Sequence, residues 1–175
     1  TVSQNNDDQV TLTDPDAVSK ASPTVLAFDI ECTKAPLQFP NATQDEIFMI
    51  SYMVSTPTGV QGYLINSATV VTEPVPDFEY TPQSQYPGPF AIYTEPNEEA
   101  LLRRFLDEYQ KHAPHIVVTY NGDFFDWPFV EQRALVYGMD MRRETSVALS
   151  GGASYRGRVS VHLDAFHWVQ RDSYL

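Results

Sequence analysis

The sequence of 175 residues is 42% hydrophobic and 13% aromatic, which fits one domain of ordinary size with a packed core. Its single cysteine, Cys32, excludes an internal disulfide framework and a cysteine-based zinc cluster, and no apolar run approaches the ~20 residues that span a membrane. The formal net charge of −12 argues against nucleic acid as a partner, because binding to its phosphates usually requires lysine and arginine.

The first half of the chain predicts antiparallel strands after a flexible start. Residues 1–23 contain no aromatic residue and are rich in small polar side chains, so we expect a flexible lead-in. Short apolar runs at residues 25–30, 47–54 and 60–65 have the length of strands, and a Thr-Pro-Thr-Gly turn signal between the last two predicts a hairpin. Five prolines between residues 72 and 89 predict an excursion over the surface.

The second half predicts helices that alternate with strands. In chain order, the predicted elements are a strand at residues 90–93, a helix from Pro96 to Tyr109, a strand at 115–120, a helix at 127–137 that Gly138 ends, and a strand pair within 145–163 that turns at 150–152. Antiparallel strands followed by helix, strand and helix predict an α/β fold, a mixed β-sheet with helices packed on its faces.

Charge is distributed unevenly along the chain. Residues 1–100 hold 14 acidic and two basic residues, whereas residues 101–175 hold nine of each. The later cations include four arginines that flank the predicted strand pair: Arg142, Arg143, Arg156 and Arg158. These arginines could contact phosphates, or they could be charges on a solvated hairpin edge. The net charge of the whole chain therefore conceals a neutral second half.

Two carboxylates emerge side by side at the end of the first predicted buried strand. In residues 25–31, alternation places the large apolar side chains on one face, and Asp29 and Glu31 on the other. Ligands often bind at the carboxyl ends of strands in α/β sheets, and oxygen-only ligands favour a hard ion such as Mg²⁺ or Mn²⁺. The alternative is a solvated strand end, where acidic residues are common.

The sequence NGDFFDWPF, at residues 121–129, is a second candidate segment. We expect Asp126 to be the N-cap of the following helix, with Pro128 in its first turn. A capping carboxylate can still bind an ion through its other oxygen. Because this segment follows its own strand, it meets Asp29 and Glu31 if the two strands are neighbours in the sheet.

These two segments resemble the first two exonuclease motifs of family B DNA polymerases. Phe-Asp-Ile-Glu at residues 28–31 is similar to the first motif, and Asn-Gly-Asp-Phe-Phe-Asp at residues 121–126 is similar to the second. The resemblance implies a ribonuclease H-like fold with a proofreading 3′→5′ exonuclease activity. On this basis, residues 1–23 are a lead-in and residues 24–175 are the N-terminal part of the exonuclease domain.

The resemblance further implies a two-metal site. Asp29, Glu31 and Asp126 would hold two Mg²⁺ or Mn²⁺ ions, with Asp29 bridging them. Asn121 and Phe125 would lie beside the 3′-terminal nucleotides of single-stranded DNA, because an aromatic face can hold an unpaired base by stacking. The implied reaction is hydrolysis of the 3′-terminal phosphodiester.

A larger protein around this chain is also implied by the resemblance. Its partners would be primer–template DNA and accessory polymerase subunits, and its location would be the nucleus. We expect the family's third exonuclease motif, a Tyr three residues before an Asp that a helix follows, to lie further downstream. This chain alone should therefore be inactive or nearly so. Asp123 is expected to be a turn residue, and Asp164 to be a structural residue at a strand end.

Two other functions remain open on the residues alone. One is a non-catalytic ribonuclease H-like module that binds DNA or serves as a scaffold, and the other is a free-standing nuclease that acts on RNA. Cys32 is a weaker candidate, because a nucleophile needs a nearby base that the sequence cannot place. The four histidines are expected to be surface residues or to be held by hydrogen bonds.

Overall fold

The computed structural model describes residues 2–4, 10–12, 21–57, 63–74 and 90–172. The strands are β1 (Val2–Gln4), β2 (Val10–Leu12), β3 (Val25–Cys32), β4 (Ile47–Pro57), β5 (Tyr63–Val71), β6 (Phe90–Thr94), β7 (Ile116–Thr119), β8 (Val147–Ser150), β9 (Ser154–Gly157) and β10 (Val161–Asp164). The helices are α1 (Glu98–His112), α2 (Asp126–Val136), α3 (Met141–Thr145) and α4 (Ala165–Asp172). None of these helices is long and apolar enough to cross a membrane.

Six strands form one mixed sheet in the order β10–β7–β3–β4–β5–β6. Strands β3, β4 and β5 pair antiparallel in sequence, whereas the pairs β3–β7, β7–β10 and β5–β6 are parallel. The predicted hairpin is confirmed, although β5 runs from Tyr63 to Val71 instead of residues 60–65, and the turn lies outside the described residues. The predicted fold class, a mixed sheet with flanking helices, is confirmed.

The two longest helices cover the face of the sheet that carries the large apolar residues of β3. Leu26, Phe28 and Ile30 are buried. The ring of Phe28 contacts Phe105 of α1 and Trp127 of α2, at centroid distances of 5.1 and 4.9 Å. The alternate residues of β3 face the other way and are half-buried or exposed. The predicted alternation along this strand is therefore confirmed, and it separates the core from the candidate carboxylates.

Two predicted segments fall largely outside the described residues. Within the predicted lead-in, residues 1–23, strands β1 and β2 pair antiparallel, with Ser3 opposite Thr11. The flexibility predicted for the rest of this segment stays a prediction. The predicted proline-rich excursion falls mainly on residues 75–89, which are not among the described ones.

The strand pair predicted within residues 145–163 is divided between two sheets. Strands β8 and β9 form the expected hairpin, but β10 leaves it and pairs with β7 in the main sheet. Gly157 permits this change of direction, because a Cβ at this position would lie 2.4 Å from the carbonyl oxygen of Ser160. Helices α3 and α4, which the sequence analysis did not predict, flank this region, and both are too short for a strong periodic signal.

A buried ion pair joins α1 and α2 to the sheet. Glu98, at the start of α1, is 2% exposed, and its carboxylate accepts hydrogen bonds from the guanidinium of Arg133 in α2. The same carboxylate accepts the backbone N–H of Ile47 and the hydroxyl of Tyr137, each at 2.7 Å. Arg133 also donates to the carbonyl oxygen of Ala42 at 3.2 Å. Both charges are thus paired and hydrogen-bonded, so removing one leaves its partner uncompensated.

We predict that Glu98→Gln lowers the free energy of unfolding by about 3 kcal/mol, because it leaves a buried guanidinium without a counter-charge. The measurement is equilibrium denaturation with urea. Glu99→Gln is the matched control, because Glu99 pairs with Arg103 at 2.8 Å on the exposed face of the same helix, and we expect a loss of about 0.5 kcal/mol or less. Equal losses in the two variants would contradict the prediction.

Candidate active site

Three parallel strands end at the same edge of the sheet. In the pairing of β3 with β7, Leu26 lies opposite Val117, and in the pairing of β7 with β10, Thr119 lies opposite Asp164. The two candidate segments were predicted to meet if their strands are neighbours in the sheet, and the pairing of β3 with β7 confirms that condition. The loops that follow the three strands therefore project from one edge.

The loop after β7 begins with a left-handed residue. Asn121 has a φ of +62°, a conformation that asparagine adopts more readily than most residues. Its carbonyl oxygen accepts the backbone N–H groups of Phe124 and Phe125, at 3.2 and 3.1 Å. These bonds close the turn and direct the chain back across the edge of the sheet into α2.

Gly122 allows this loop to lie directly on the end of β7. A Cβ at this position would be 2.3 Å from the side-chain oxygen of Thr119, which is far closer than atoms approach without a bond. The carbonyl oxygen of Gly122 accepts the N–H of Trp127 at 3.0 Å, which connects the loop to the first turn of α2. Glycine is therefore required at this position by close packing, and the site depends on that contact.

The loop after β7 brings Asp126 to β3, the strand that carries Asp29. Asp126 is 2% exposed, and its Oδ1 accepts the backbone N–H of Ile30 in β3 at 3.2 Å. The prediction that Asp126 is the N-cap of α2 is wrong: Phe125 occupies the N-cap position without a side-chain cap bond, and Asp126 is the first helical residue. The physical reason is that the carboxylate turns toward the neighbouring strand, where it accepts the N–H of Ile30.

The negative charge of Asp126 costs free energy in this buried position. Burial, and then the negative charge of Asp29, raise the pKa of Asp126 to about 7, and the hydrogen bond from Ile30 only partly opposes them. Asp29 itself is exposed at the end of β3. A buried carboxyl whose pKa is raised by a second carboxyl is the kind of arrangement that a cation stabilises.

Glu31 stands apart from this pair. It lies on the same face of β3 as Asp29 and is exposed. Within the part of the chain that the structure describes, Asp29, Glu31 and Asp126 are not among the groups that place three ligand atoms within 4.8 Å of one another. The neighbouring thiol of Cys32 has a pKa raised to about 12 by burial and by the charges of Asp126 and Glu31, so it stays protonated.

An aromatic cluster lies beside the carboxyl pair. Phe125 is half-buried, and its ring contacts Phe39 edge-to-face at 5.4 Å and Phe129 at 5.6 Å. Phe39 belongs to the loop that follows β3 and is 70% exposed. Asn121 is half-buried at the start of the adjacent loop. The candidate DNA-contact residues, Asn121 and Phe125, are therefore both carried by the segment that positions Asp126.

After Asp126, the spacing of the third motif occurs once, contrary to our expectation. Tyr137 precedes Asp140 by three residues, and the short helix α3 follows. The structure gives both residues other partners. The hydroxyl of Tyr137 donates to Glu98, and Asp140 accepts the backbone N–H groups of Arg142 and Arg143 as the N-cap of α3. This spacing is therefore used for packing and capping.

A second group of possible metal ligands joins the loop between β7 and α2 to the end of β10 and the start of α4. Asp123, Asp164 and His167 place one ligand atom each within 4.8 Å of one another, and they are the one such group among the described residues. The carboxylate of Asp123 accepts the N–H of Tyr155 at 2.6 Å, and the Asp164 carboxylate accepts the N–H groups of Asn121 and Asp123, at 2.7 and 3.0 Å. Asp123 was predicted to be a turn residue and Asp164 a structural residue at a strand end, and these bonds agree with that interpretation.

The family is decided by comparison with known proteins. Residues 2–175 match the family model described as DNA polymerase family B, exonuclease domain. The chain belongs to this family. The resemblance that the two motifs indicated is thereby confirmed for the chain as a whole, and the matched region begins earlier than residue 24, the predicted start of the domain.

Within this family, the chain is similar to the catalytic subunits of one kind of DNA polymerase. The chain is 49% identical over 158 residues to the catalytic subunits of DNA polymerase epsilon from Emericella nidulans and Dictyostelium discoideum, and 46% identical over 158 residues to that from Schizosaccharomyces pombe. These alignments cover 90% of this chain but only 7%, 6% and 7% of the relatives. The chain thus spans a small part of the length of the exonuclease-family proteins that it matches.

A solved structure of the family shares the fold. The family B DNA polymerase of Pyrobaculum calidifontis matches with a TM-score of 0.60 over 87% of this chain and 16% of that chain. Because the two sequences are only 18% identical, this likeness shows the fold alone. The ribonuclease H-like architecture expected from the sequence is confirmed.

We predict that Asp126→Asn stabilises this exonuclease-family chain at pH 8 in the presence of a chelator. The pKa of Asp126 is higher in the folded chain than its ordinary value of 3.8, so ionisation costs stability as the pH rises from about 4 to about 7. Asparagine avoids this loss, and its side-chain oxygen can still accept the backbone N–H of Ile30. We expect a gain of about 2 kcal/mol at pH 8 that disappears near pH 4.

Thermal melting at several pH values measures this effect. Asp107→Asn is the control, because Asp107 is an exposed carboxylate on α1, and we expect no comparable pH-dependent gain. A variant of Asp126 that is less stable than the unsubstituted chain at pH 8 would contradict the prediction.

Proposed function

We propose that this chain takes part in proofreading by a replicative DNA polymerase, as the site that hydrolyses the 3′-terminal phosphodiester of single-stranded DNA. The observation that carries this proposal is the hydrogen bond from the backbone N–H of Ile30 to Oδ1 of Asp126, which holds the buried Asp126 at the strand that carries Asp29 and Glu31. Family membership supports it, as do relatives that are named as catalytic subunits of DNA polymerase epsilon.

We assign Asp29, Glu31 and Asp126 as the ligands for Mg²⁺ or Mn²⁺. The donor set fits these ions, because it consists of carboxylate oxygens, which hard divalent cations prefer. The pKa of Asp126, raised in part by Asp29, indicates a local excess of negative charge that a bound cation would relieve. Glu31 is exposed and lies two positions after Asp29 on the same face of β3.

Two divalent ions, when bound, supply charge stabilisation for an attacking water and for the departing 3′ oxygen. The chain's own residues have simpler tasks. Asp126 is held by the N–H of Ile30, so its free oxygen has a defined direction. Phe125 offers an aromatic face to an unpaired base, which allows binding without sequence preference. Asn121 offers a side-chain amide at the same edge of the sheet, where it can donate to or accept from the terminal nucleotide.

The chain by itself is proposed to be nearly inactive. Asp29 and Glu31 lie on the face of β3 that is half-buried or exposed, opposite the face that α1 and α2 cover. We propose that the third exonuclease motif, with its tyrosine and its carboxylate, packs against this side in the longer polypeptide. The curated relatives are much longer than this chain, which supports that arrangement.

Primer–template DNA, accessory polymerase subunits and a nuclear location belong to the same proposal. The relatives are named catalytic subunits, a term that places them in an assembly with other subunits. Their name also assigns them to DNA polymerisation, and we propose the nucleus as the place of this activity.

The proposal is tested by Asp29→Ala combined with Glu31→Ala in the full-length polymerase to which we assign this chain. We expect the rate of 3′→5′ hydrolysis to fall by about 10³-fold, because several kcal/mol of charge stabilisation are lost. DNA synthesis by the same preparation should be unchanged, which serves as the control for folding. Unchanged hydrolysis would instead favour a non-catalytic scaffold.

The activity of the 175-residue chain is a separate prediction. We expect the purified chain to release almost no nucleotide from a 3′-labelled single-stranded oligonucleotide in the presence of Mg²⁺, because the third motif is needed to complete the site. DNA and RNA oligonucleotides should be compared in parallel. Robust trimming of DNA would refute the need for a further motif, whereas preferential trimming of RNA would point to a ribonuclease.

A further inference from the structure

Asp164 holds the loop that carries the proposed site residues. It ends β10 and is 7% exposed, and its carboxylate accepts three backbone N–H groups. Oδ1 accepts from Asn121 at 2.7 Å and from Phe166 at 3.0 Å, and Oδ2 accepts from Asp123 at 3.0 Å. Two of these donors lie in the loop between β7 and α2, and the third lies in the first turn of α4. One side chain therefore joins three segments of the chain.

The hydrogen bonds to the Asp164 carboxylate stabilise a loop that begins with an unfavourable backbone conformation. Hydrogen bonds to an ionised carboxylate are stronger than those between neutral groups. One of them holds the N–H of Asn121, the residue whose left-handed backbone starts the loop. The loop N–H groups have no strand partner, so Asp164 also satisfies donors that would otherwise depend on water.

The same strand supports the start of α2 through His162. Its Nε2 accepts the indole N–H of Trp127 at 3.0 Å. Because an indole nitrogen can only donate, this Nε2 carries no proton, and Nδ1–H donates to the carbonyl oxygen of Tyr155 at 2.9 Å. His162 and Asp164 lie two positions apart on one face of β10, and both face the segment from Asn121 to Trp127.

We propose that Asp164 is a positioning residue for the carboxylate site, acting through the backbone of the loop that carries Asn121, Phe125 and Asp126. This inference rests on the proposed function of those residues. In this role Asp164 contacts neither the DNA nor the metal ions. It sets the position of the loop relative to β3, and thereby the distance between Asp126 and Asp29.

The competing role for Asp164 is that of a metal ligand, together with Asp123 and His167. The hydrogen bonds argue against it. Three of the roughly four lone-pair directions of the Asp164 carboxylate already accept N–H groups, and one oxygen of Asp123 accepts the N–H of Tyr155. An ion at this group would have to displace bonds that the loop requires.

The first measurement is amide hydrogen exchange of the 175-residue chain. In Asp164→Asn, one acceptor oxygen is replaced by a donor, so we expect the N–H groups of Asn121 and Asp123 to exchange at least tenfold faster. Asp140→Asn is the matched control, because Asp140 also accepts two backbone N–H groups at the start of a helix, remote from the loop. Unchanged exchange at Asn121 and Asp123 in Asp164→Asn would overturn the proposal.

The second measurement separates positioning from general stability. Mg²⁺ is titrated into the chain while the amide signals of residues 29–31 and 126 are followed. Substitution of residues that orient metal ligands typically weakens metal binding 10–100-fold, so we expect the dissociation constant to rise about tenfold in Asp164→Asn and to stay unchanged in Asp140→Asn. Equal constants in all three proteins would contradict the proposal.

His167→Gln distinguishes the two roles of Asp164. This substitution should leave Mg²⁺ affinity unchanged if Asp164 acts through the loop. A loss as large as that of Asp164→Asn would identify a metal site at Asp123, Asp164 and His167, and would overturn the positioning role. If the unsubstituted chain shows no Mg²⁺-dependent shifts at residues 29–31 and 126, the proposed function fails, while the exchange rates still decide whether Asp164 holds the loop.

A second variant covers the case in which Asp164→Asn melts below the measuring temperature. Asp164→Ser keeps an acceptor for the N–H of Phe166, as serine does at helix N-caps, but it is too short to hold both loop N–H groups. We expect the same selective increase in exchange at Asn121 and Asp123, with α4 retained. Protection equal to that of the unsubstituted chain would overturn the proposal.

Discussion

The parallel pairing of β3 with β7 is the constraint on which the candidate site depends. The two strands are separated by more than 80 residues in sequence, yet Leu26 lies opposite Val117, so their carboxyl ends reach one edge together. Only this pairing allows the loop after β7 to bring Asp126 to the backbone of Ile30. A shift of one residue in the register would turn the carboxylates of β3 toward the core.

The rest of the structure holds α2 and the loop before it in place against β3 from two sides. On one side, the buried pair of Glu98 and Arg133 joins α1 to α2 and fixes the far end of the helix that begins with Asp126. On the other side, β10 supplies His162 and Asp164, which bind the indole of Trp127 and the N–H groups of the loop. The helix that carries the buried carboxyl is thus held at both ends, and this rigidity is what a site with two repelling charges requires.

Several elements were predictable because their signals are local. The alternation along β3 placed Asp29 and Glu31 opposite the core, and the apolar periodicity of α1 was correctly assigned from its sequence. The capping role of Asp126 was predicted wrongly, since a local pattern cannot reveal the neighbouring strand that competes for a carboxylate. The position of β10 was missed for a related reason: a strand of four residues has too little sequence to indicate which sheet it joins.

The sequence by itself determined the candidate carboxylates, Asp29, Glu31 and Asp126, and the family to which their spacing belongs. It also contained the net charge of −12, but a sum over residues does not report where charges meet. The tertiary structure alone decided that Asp126 accepts a hydrogen bond from β3, that Asp126 is buried, and that Asp164 holds the loop before it. These facts depend on contacts between residues distant in sequence, and such contacts follow from strand order and register, which local patterns do not specify.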